Sequence, residues 1–271
     1  MSTNATAHSG AATPRQPNNK PLLKTEKATI LFGGLCAVNE LDMGVAKGEI
    51  YGLIGPNGAG KTTIFNLLTG VYKPTSGEIY FEGQRMDGLR PYEIAGRGVS
   101  RTFQNIRLFP SMSVLDNVMT ACHIHTRQTL VDAVLRTPRF TLDEDQHRDY
   151  CMELLAIFDL DQFKDEGGTS LPYGKQRRLE IVRALATRPK LLLLDEPAAG
   201  MNPSEQEDLM KLIQQIRDRF GLTILLVEHN MKVVMGVCER IQVVDYGKSI
   251  ALGLPDEIKN DPKVIEAYLG D

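Results

Sequence analysis

Residues 55–62 read Gly-Pro-Asn-Gly-Ala-Gly-Lys-Thr, an order of residue types suited to holding a chain of phosphates. The run fits G-x-x-x-x-G-K-[ST]. Gly55, Gly58 and Gly60 let the backbone turn where side chains would clash. The N–H groups of such a loop can then face phosphate oxygens, and the start of a following helix adds positive potential. Lys61 supplies a cation for the outer phosphates, and the hydroxyl of Thr62 suits a magnesium ion. With Pro56, Asn57, Ala59 and Thr63, these residues form a candidate nucleotide cradle. The plain alternative is a glycine-rich turn with a chance lysine. The flanks argue against it: Glu49 to Ile54 reads as a short buried strand, and Lys61 to Thr69 as a helix closed by Gly70.

A second cluster lies far along the chain. Four leucines, Leu191 to Leu194, lead into Asp195 and Glu196. Ligands gather at strand ends in α/β sheets. If the chain turns there, both carboxylates can face the phosphate loop. Asp195 would then hold magnesium, mostly through water, and Glu196 would polarise the attacking water. Alone, an Asp-Glu pair is as well read as solvated acids at a strand end. His229 leaves another apolar run and could touch a terminal phosphate, although a partly buried structural histidine is the simpler reading of it alone. His8, His123, His125 and His147 form no metal-binding pattern.

The elements that must position these groups are legible in outline. Short apolar runs and glycine turns from Leu22 to about Tyr80 suggest strands around the loop. Leu115 to Leu160 is mostly helical in pattern, with Pro138 as a break and Asp143-Glu144-Asp145 as a solvated helix start. Ser204 to Glu207 reads as a capping box. Leu209, Leu212, Ile213, Ile216 and Phe220 follow at helical spacing, and Gly221 ends that helix. Leu222 to Val227 is a further buried strand, and a loop leads from it to the next one. Strand and helix in alternation predict an α/β core with a parallel sheet.

Bulk properties narrow the classes. The 271 residues are 42% hydrophobic, enough for one large domain with a lobe. The net charge of −3 gives no reason to expect nucleic acid as a partner. Cys36, Cys122, Cys151 and Cys238 are scattered, as reduced structural thiols would be. No apolar run approaches the roughly 18 residues needed to span a bilayer, and no signal peptide is evident. Residues 1–20 read as a disordered tail.

Taken in order, the motifs resemble those of the ATP-binding subunits of ABC transporters. They are the phosphate loop, Gln104 within Arg101 to Asn105, Leu171-Pro172-Tyr173-Gly174-Lys175-Gln176, Leu191 to Glu196, Ala199 to Asn202, and His229. The resemblance spans about Leu22 to the C-terminus. It implies a P-loop NTPase core with a mixed sheet, an antiparallel β subdomain and a helical lobe. Residues 1–21 would be the tail and 22–271 the nucleotide-binding domain. The lobe would cover about 105–185, with an enlarged segment at about 122–149.

The resemblance also implies roles. Glu196, His229 and Gln104 would be catalytic, and Thr62, Gln104 and Asp195 would hold Mg2+. Phe32, before Gly33-Gly34, stands where an aromatic stacks on adenine, although a core phenylalanine is nearly as good a reading. Two such domains would pack head to tail, self or paralogue, with each ATP between one phosphate loop and the other's signature segment. Gly174, with Lys175 beside it, would meet the partner's nucleotide. Two transmembrane permease subunits would complete the complex on the cytoplasmic face of the inner membrane, with a solute-binding protein as an indirect partner. Arg107-Leu108-Phe109-Pro110 would help form the groove for a permease helix, or else pack in the core.

Pro172 and Tyr173 replace the usual Ser-Gly of the signature, and Asn202 replaces an aspartate. These departures resemble the ATPases of branched-chain amino acid importers, as do Val227 to Met231 and the ending Ala267-Tyr268-Leu269-Gly270. An importer of urea or short amides, lipopolysaccharide export, a soluble ABC protein of translation or DNA repair, and a regulator without turnover are the alternatives weighed.

Overall fold

The apolar runs become two sheets and a set of covering helices. In the computed structural model, residues 20–125 and 138–269 are described. The first half runs β1 (Leu23–Phe32), β2 (Leu35–Val45), β3 (Ile50–Ile54), α1 (Lys61–Leu68), β4 (Ser76–Phe81), β5 (Gln84–Arg85), α2 (Pro91–Gly96) and β6 (Val99–Arg101). Then come α3 (Val114–Cys122), α4 (Pro138–Ile157), α5 (Tyr173–Ala186), β7 (Leu191–Asp195), α6 (Pro203–Phe220), β8 (Thr223–Val227) and α7 (Met231–Val237). The chain closes with β9 (Arg240–Asp245), β10 (Lys248–Gly253), α8 (Pro255–Lys259) and α9 (Pro262–Leu269).

The larger sheet has the order β10-β9-β3-β8-β7-β6. Its strands are parallel except for β10, which runs antiparallel to β9, so the sheet is mixed. The smaller sheet, β2-β1-β4-β5, is antiparallel throughout. Alternation along each central strand divides the core in two. Ile50, Leu192, Leu194, Ile224 and Leu226 face the helical side. Tyr51, Leu53, Leu191, Leu193 and Leu225 face α1 and the small sheet. Every residue of β3, β7 and β8 is buried, as strands covered on both faces require. Each buried leucine of β7 contributes about 1.5–3 kcal/mol relative to an exposed one.

Register decides where chemistry can occur. Leu53 of β3 pairs with Val227 of β8, Asp195 of β7 pairs with the same Val227, and Arg101 of β6 pairs with Leu193. The carboxyl ends of four parallel strands are therefore level. The phosphate loop, Asp195-Glu196, His229 and the approach to Gln104 all leave from that one edge.

Several local expectations are corrected. The capping box at the start of α6 uses Asn202, whose side chain accepts from Glu205 N, rather than Ser204. Pro203 explains the shift, because the first helical position needs no N–H. Pro138 begins α4, where a first-turn proline is tolerated; the stretch before it, 126–137, lies outside the described residues. The acidic run Asp143 to Asp145 consequently lies in the second turn. The loop expected after β8 contains α7, capped by the Asn230 side chain. All four cysteines are free, but the Cys122 and Cys151 sulfurs lie 3.2 Å apart, where α3 meets α4. The expected tail at residues 1–20 falls outside the described residues except for Lys20, as does part of the segment expected to be enlarged.

Candidate functional site

The phosphate loop bridges β3 and α1. Its glycines are sterically required at two points. A Cβ on Gly55 would stand 2.0 Å from the Val244 carbonyl oxygen. Gly60 caps α1 in the left-handed region at φ 100°, and a Cβ there would meet the Ala37 carbonyl at 2.6 Å. Lys61 is buried, and its Nζ donates to the carbonyls of Gly55 (2.7 Å) and Pro56 (2.8 Å). Burial lowers its pKa, while the carboxylates of Glu196 and Asp195 act in the opposite sense. The ammonium is thus held inside the loop and within the field of the acidic pair. Thr62 is exposed at the start of α1.

The acidic pair reaches this loop by a backbone device. Glu196 adopts φ 48°, a left-handed conformation that costs a non-glycine residue about 1–3 kcal/mol. Its N–H donates to Val227 O at 2.8 Å, which holds the turn. The side chain is then fixed from two sides. Gln104 Nε2 donates to Glu196 Oε2 at 2.9 Å, and His229 Nε2 lies 2.9 Å from Glu196 Oε1. Residues 92 and 33 positions away in sequence meet on one carboxylate. Such tethering leaves Glu196 one orientation, as a general base needs.

Asp195 is held differently. Its Oδ2 accepts from Arg101 Nη2 at 2.7 Å, and both side chains are almost fully buried. Arg101 also donates to Asn66 Oδ1 at 2.6 Å, and its guanidinium lies near the rings of Phe65 and Phe103. Motif reading offered no role for Arg101, because nothing in its spacing points to Asp195. Glu228 was missed in the same way. Its carboxylate accepts from the N–H groups of Ala198 (2.6 Å) and His229 (3.1 Å), tying the turn after β7 to the one after β8. Burial pushes the Glu228 pKa up, against those backbone donors. Replacing Arg101 by Met is expected to strand the Asp195 charge and lower stability by about 3–5 kcal/mol. Denaturant unfolding checks this, and an unchanged midpoint would contradict the pairing.

Comparison with known proteins identifies the architecture. The model of the ABC transporter domain matches residues 38–199, and that of the branched-chain amino acid ATP-binding cassette transporter C-terminus matches residues 248–271. The chain belongs to the ABC transporter family. This cassette is 44% identical, over 93% of its length and 99% of the relative's, to the high-affinity branched-chain amino acid transport ATP-binding protein BraF of Pseudomonas aeruginosa. Identity to LivG of Escherichia coli, a protein of the same description, is 46% over the same shares. LptB of Haemophilus influenzae, a lipopolysaccharide export ATP-binding protein, is 37% identical over 92% of the cassette and 98% of itself. The ADP conformation of MJ1267, an ATP-binding cassette of an ABC transporter, superposes with a TM-score of 0.81 at 30% identity. That match covers 93% of this cassette and all of the other. The P-loop ATPase fold is thereby established.

The remaining sequence-derived residues lie apart from the acidic pair. Phe32 ends β1 and is 42% exposed, meeting Tyr72 edge to face at 5.2 Å. It is therefore not a core phenylalanine, and the hairpin it begins leads to Ala37, which packs on Gly60. Gly174 and Lys175 lie in the first turn of α5. A Cβ on Gly174 would meet Glu205 Oε1 at 3.3 Å, and Lys175 Nζ stands 3.5 Å from the centre of the Phe163 ring. Among the described residues, no hydrogen bond joins either to the phosphate loop. Lys175 lies on an aromatic face of the cassette itself.

Proposed function

We propose that the chain is the ATP-hydrolysing subunit of an importer of branched-chain amino acids. The convergence of Gln104 and His229 on Glu196, beside Lys61, carries the ATPase reading. Similarity to BraF and LivG supports the solute class, and the lower identity to LptB disfavours lipopolysaccharide export. The loop Gly55 to Thr63 holds the phosphates through its N–H groups, and Lys61 balances their charge. Phe32 offers its exposed ring to adenine. Glu196 accepts a proton from the attacking water, while Gln104 and His229 keep its carboxylate aimed. The imidazole of His229 stands beside the terminal phosphate.

The oxygens of Thr62, Asp195 and Gln104 are hard donors that suit Mg2+. Arg101 engages only Oδ2 of Asp195. When bound, the ion neutralises charge on the outer phosphates.

Gly174 packs against Glu205 and Lys175 against Phe163, and neither bonds to the chain's own phosphate loop among the described residues, as expected if a second cassette, self or paralogue, completes each site. A dimeric cassette structure, MJ0796, has a TM-score of 0.74 and 25% identity over 86% of this chain and 98% of that one. Among the described residues no helix is long and apolar enough to cross a membrane. Two permease subunits would hold the cassette at the cytoplasmic face, and a solute-binding protein would act through them. Between α2, β6, α3 and α5 lies a groove of about 400 Å3 whose lining includes Val71, Ile94, Phe103 and Phe109. Leu108 packs on the core, whereas Phe109 is 46% exposed and suits a permease helix. Phe109→Glu is expected to abolish co-purification with the permease and to change stability by no more than about 0.5 kcal/mol. Intact complexes would remove Phe109 from the contact. Deleting the gene should abolish high-affinity leucine uptake and spare urea uptake; the reverse pattern would favour the short-amide reading.

A further inference from the structure

Arg177 and Glu180 are three residues apart on α5, so they share one face of the helix. Both are buried, with Arg177 at 0% and Glu180 at 2% exposure. Ions so deep persist only where their hydrogen bonds are largely met. Here the partners belong to the segment that carries Gln104. Arg177 Nη1 donates to Phe103 O at 2.6 Å and to Glu180 Oε2 at 3.1 Å. Its Nη2 donates to Gln104 O at 2.8 Å and to the Tyr173 hydroxyl at 3.3 Å. Glu180 Oε1 accepts from Phe103 N at 3.3 Å. Residues 102–112 have no helix or strand of their own, so this grip fixes the peptide that presents Gln104. At its other end Arg177 reaches Tyr173, whose ring packs on Gly200; a Cβ there would be 3.1 Å away.

We propose that Arg177 and Glu180 are positioning residues for Gln104, a buried fork through which the turn at Tyr173 to Lys175 sets how Gln104 meets Glu196. The inference rests on the hydrolytic reading above and extends it. A nucleotide held by the second cassette presses on the turn at the start of α5. The fork passes that displacement to the Gln104 peptide, and Gln104 Nε2 carries it to Glu196. Each site thus senses whether the other is loaded. Only a planar guanidinium with five donors can serve two carbonyls, a carboxylate and a hydroxyl together.

A double-mutant cycle in ATP hydrolysis tests this, using the full chain with its companion subunits. Arg177→Met with Glu180→Leu removes both charges and keeps apolar volume. We expect kcat to fall about tenfold to a hundredfold, because a misplacement near 1 Å can cost roughly 10²-fold. The KM for ATP should stay within about threefold of the parent value, as expected when only the chemical step is impaired. In a Gln104→Ala chain the same pair of changes should lower kcat less than about twofold, since the group being positioned is gone. Equal losses in both backgrounds would mean a merely structural role and overturn the proposal. Arg177→Lys keeps the charge, loses the fork, and supports the same cycle if the pair variant does not fold. Parental kcat in Arg177→Lys would equally overturn it. An unsubstituted chain that hydrolyses no ATP would end the hydrolytic reading and this inference together; additive losses in an active chain would end this inference alone.

Discussion

Glu196→Gln should bind ATP as the parent does and hydrolyse it about 10²–10⁴-fold more slowly, the usual contribution of a positioned base. The substitution is nearly isosteric. Its amide oxygen can still accept from Gln104 Nε2, so the geometry around the turn survives. What is lost is the carboxylate's capacity to take a proton from water. The left-handed backbone of residue 196 is unaffected by the exchange, which separates a chemical loss from a folding defect. Steady-state phosphate release gives the rate, and calorimetric titration with ATP gives the affinity. Turnover within a few fold of the parent would remove Glu196 from the base role and leave its two tethers unexplained.

The second large effect concerns Lys61. Its Nζ stands at the centre of the loop, hydrogen-bonded to Gly55 and Pro56 and close to both carboxylates. Lys61→Ala removes the loop's only cation and a donor that charge-assisted bonding makes worth about 1.5–3 kcal/mol. ATP affinity should therefore fall roughly tenfold to a hundredfold, with turnover lost as well. ADP, lacking the outermost phosphate, should lose less. Two further effects act on the nucleotide-free loop. The buried ammonium is desolvated, so its removal relieves some strain, and the loop carbonyls it serves are left without that donor. Neither concerns bound nucleotide, so the affinity difference between ATP and ADP is the cleaner reading. Equal ATP affinity in parent and variant would contradict the phosphate-loop assignment.

How much of this was legible in the sequence follows from the range of each interaction. The phosphate loop is local, with glycines, lysine and threonine at fixed offsets, so it could be read directly. Asp195 and Glu196 adjoin each other after an apolar run, and only the turn that makes both useful needed the structure. The α/β alternation and the helix over α6 followed from periodicity and from Gly221. Arg101 could not be assigned, because its partner Asp195 lies 94 residues away and pairing at that range is tertiary. Arg177 stands next to Arg178, and nothing in the sequence distinguishes a buried arginine from a solvated one at that place. Its spacing to Glu180 was the only available signal, and solvated helix pairs share that spacing. The capping residue of α6 was misassigned by two positions because Asn202 and Ser204 are both good caps, and Pro203 decides between them. α7, seven residues long, is too short for periodicity to separate from a loop.

The account depends on ATP joining two cassettes, the phosphate loop of one against the Gly174 turn of the other, until Glu196-dependent cleavage lets them part. Sedimentation of the Glu196→Gln chain, alone and with its companion subunits, measures this most directly. With ATP and Mg2+ the cassettes should associate as pairs and remain so, and with ADP they should separate. Unpaired cassettes with ATP in both preparations would contradict it.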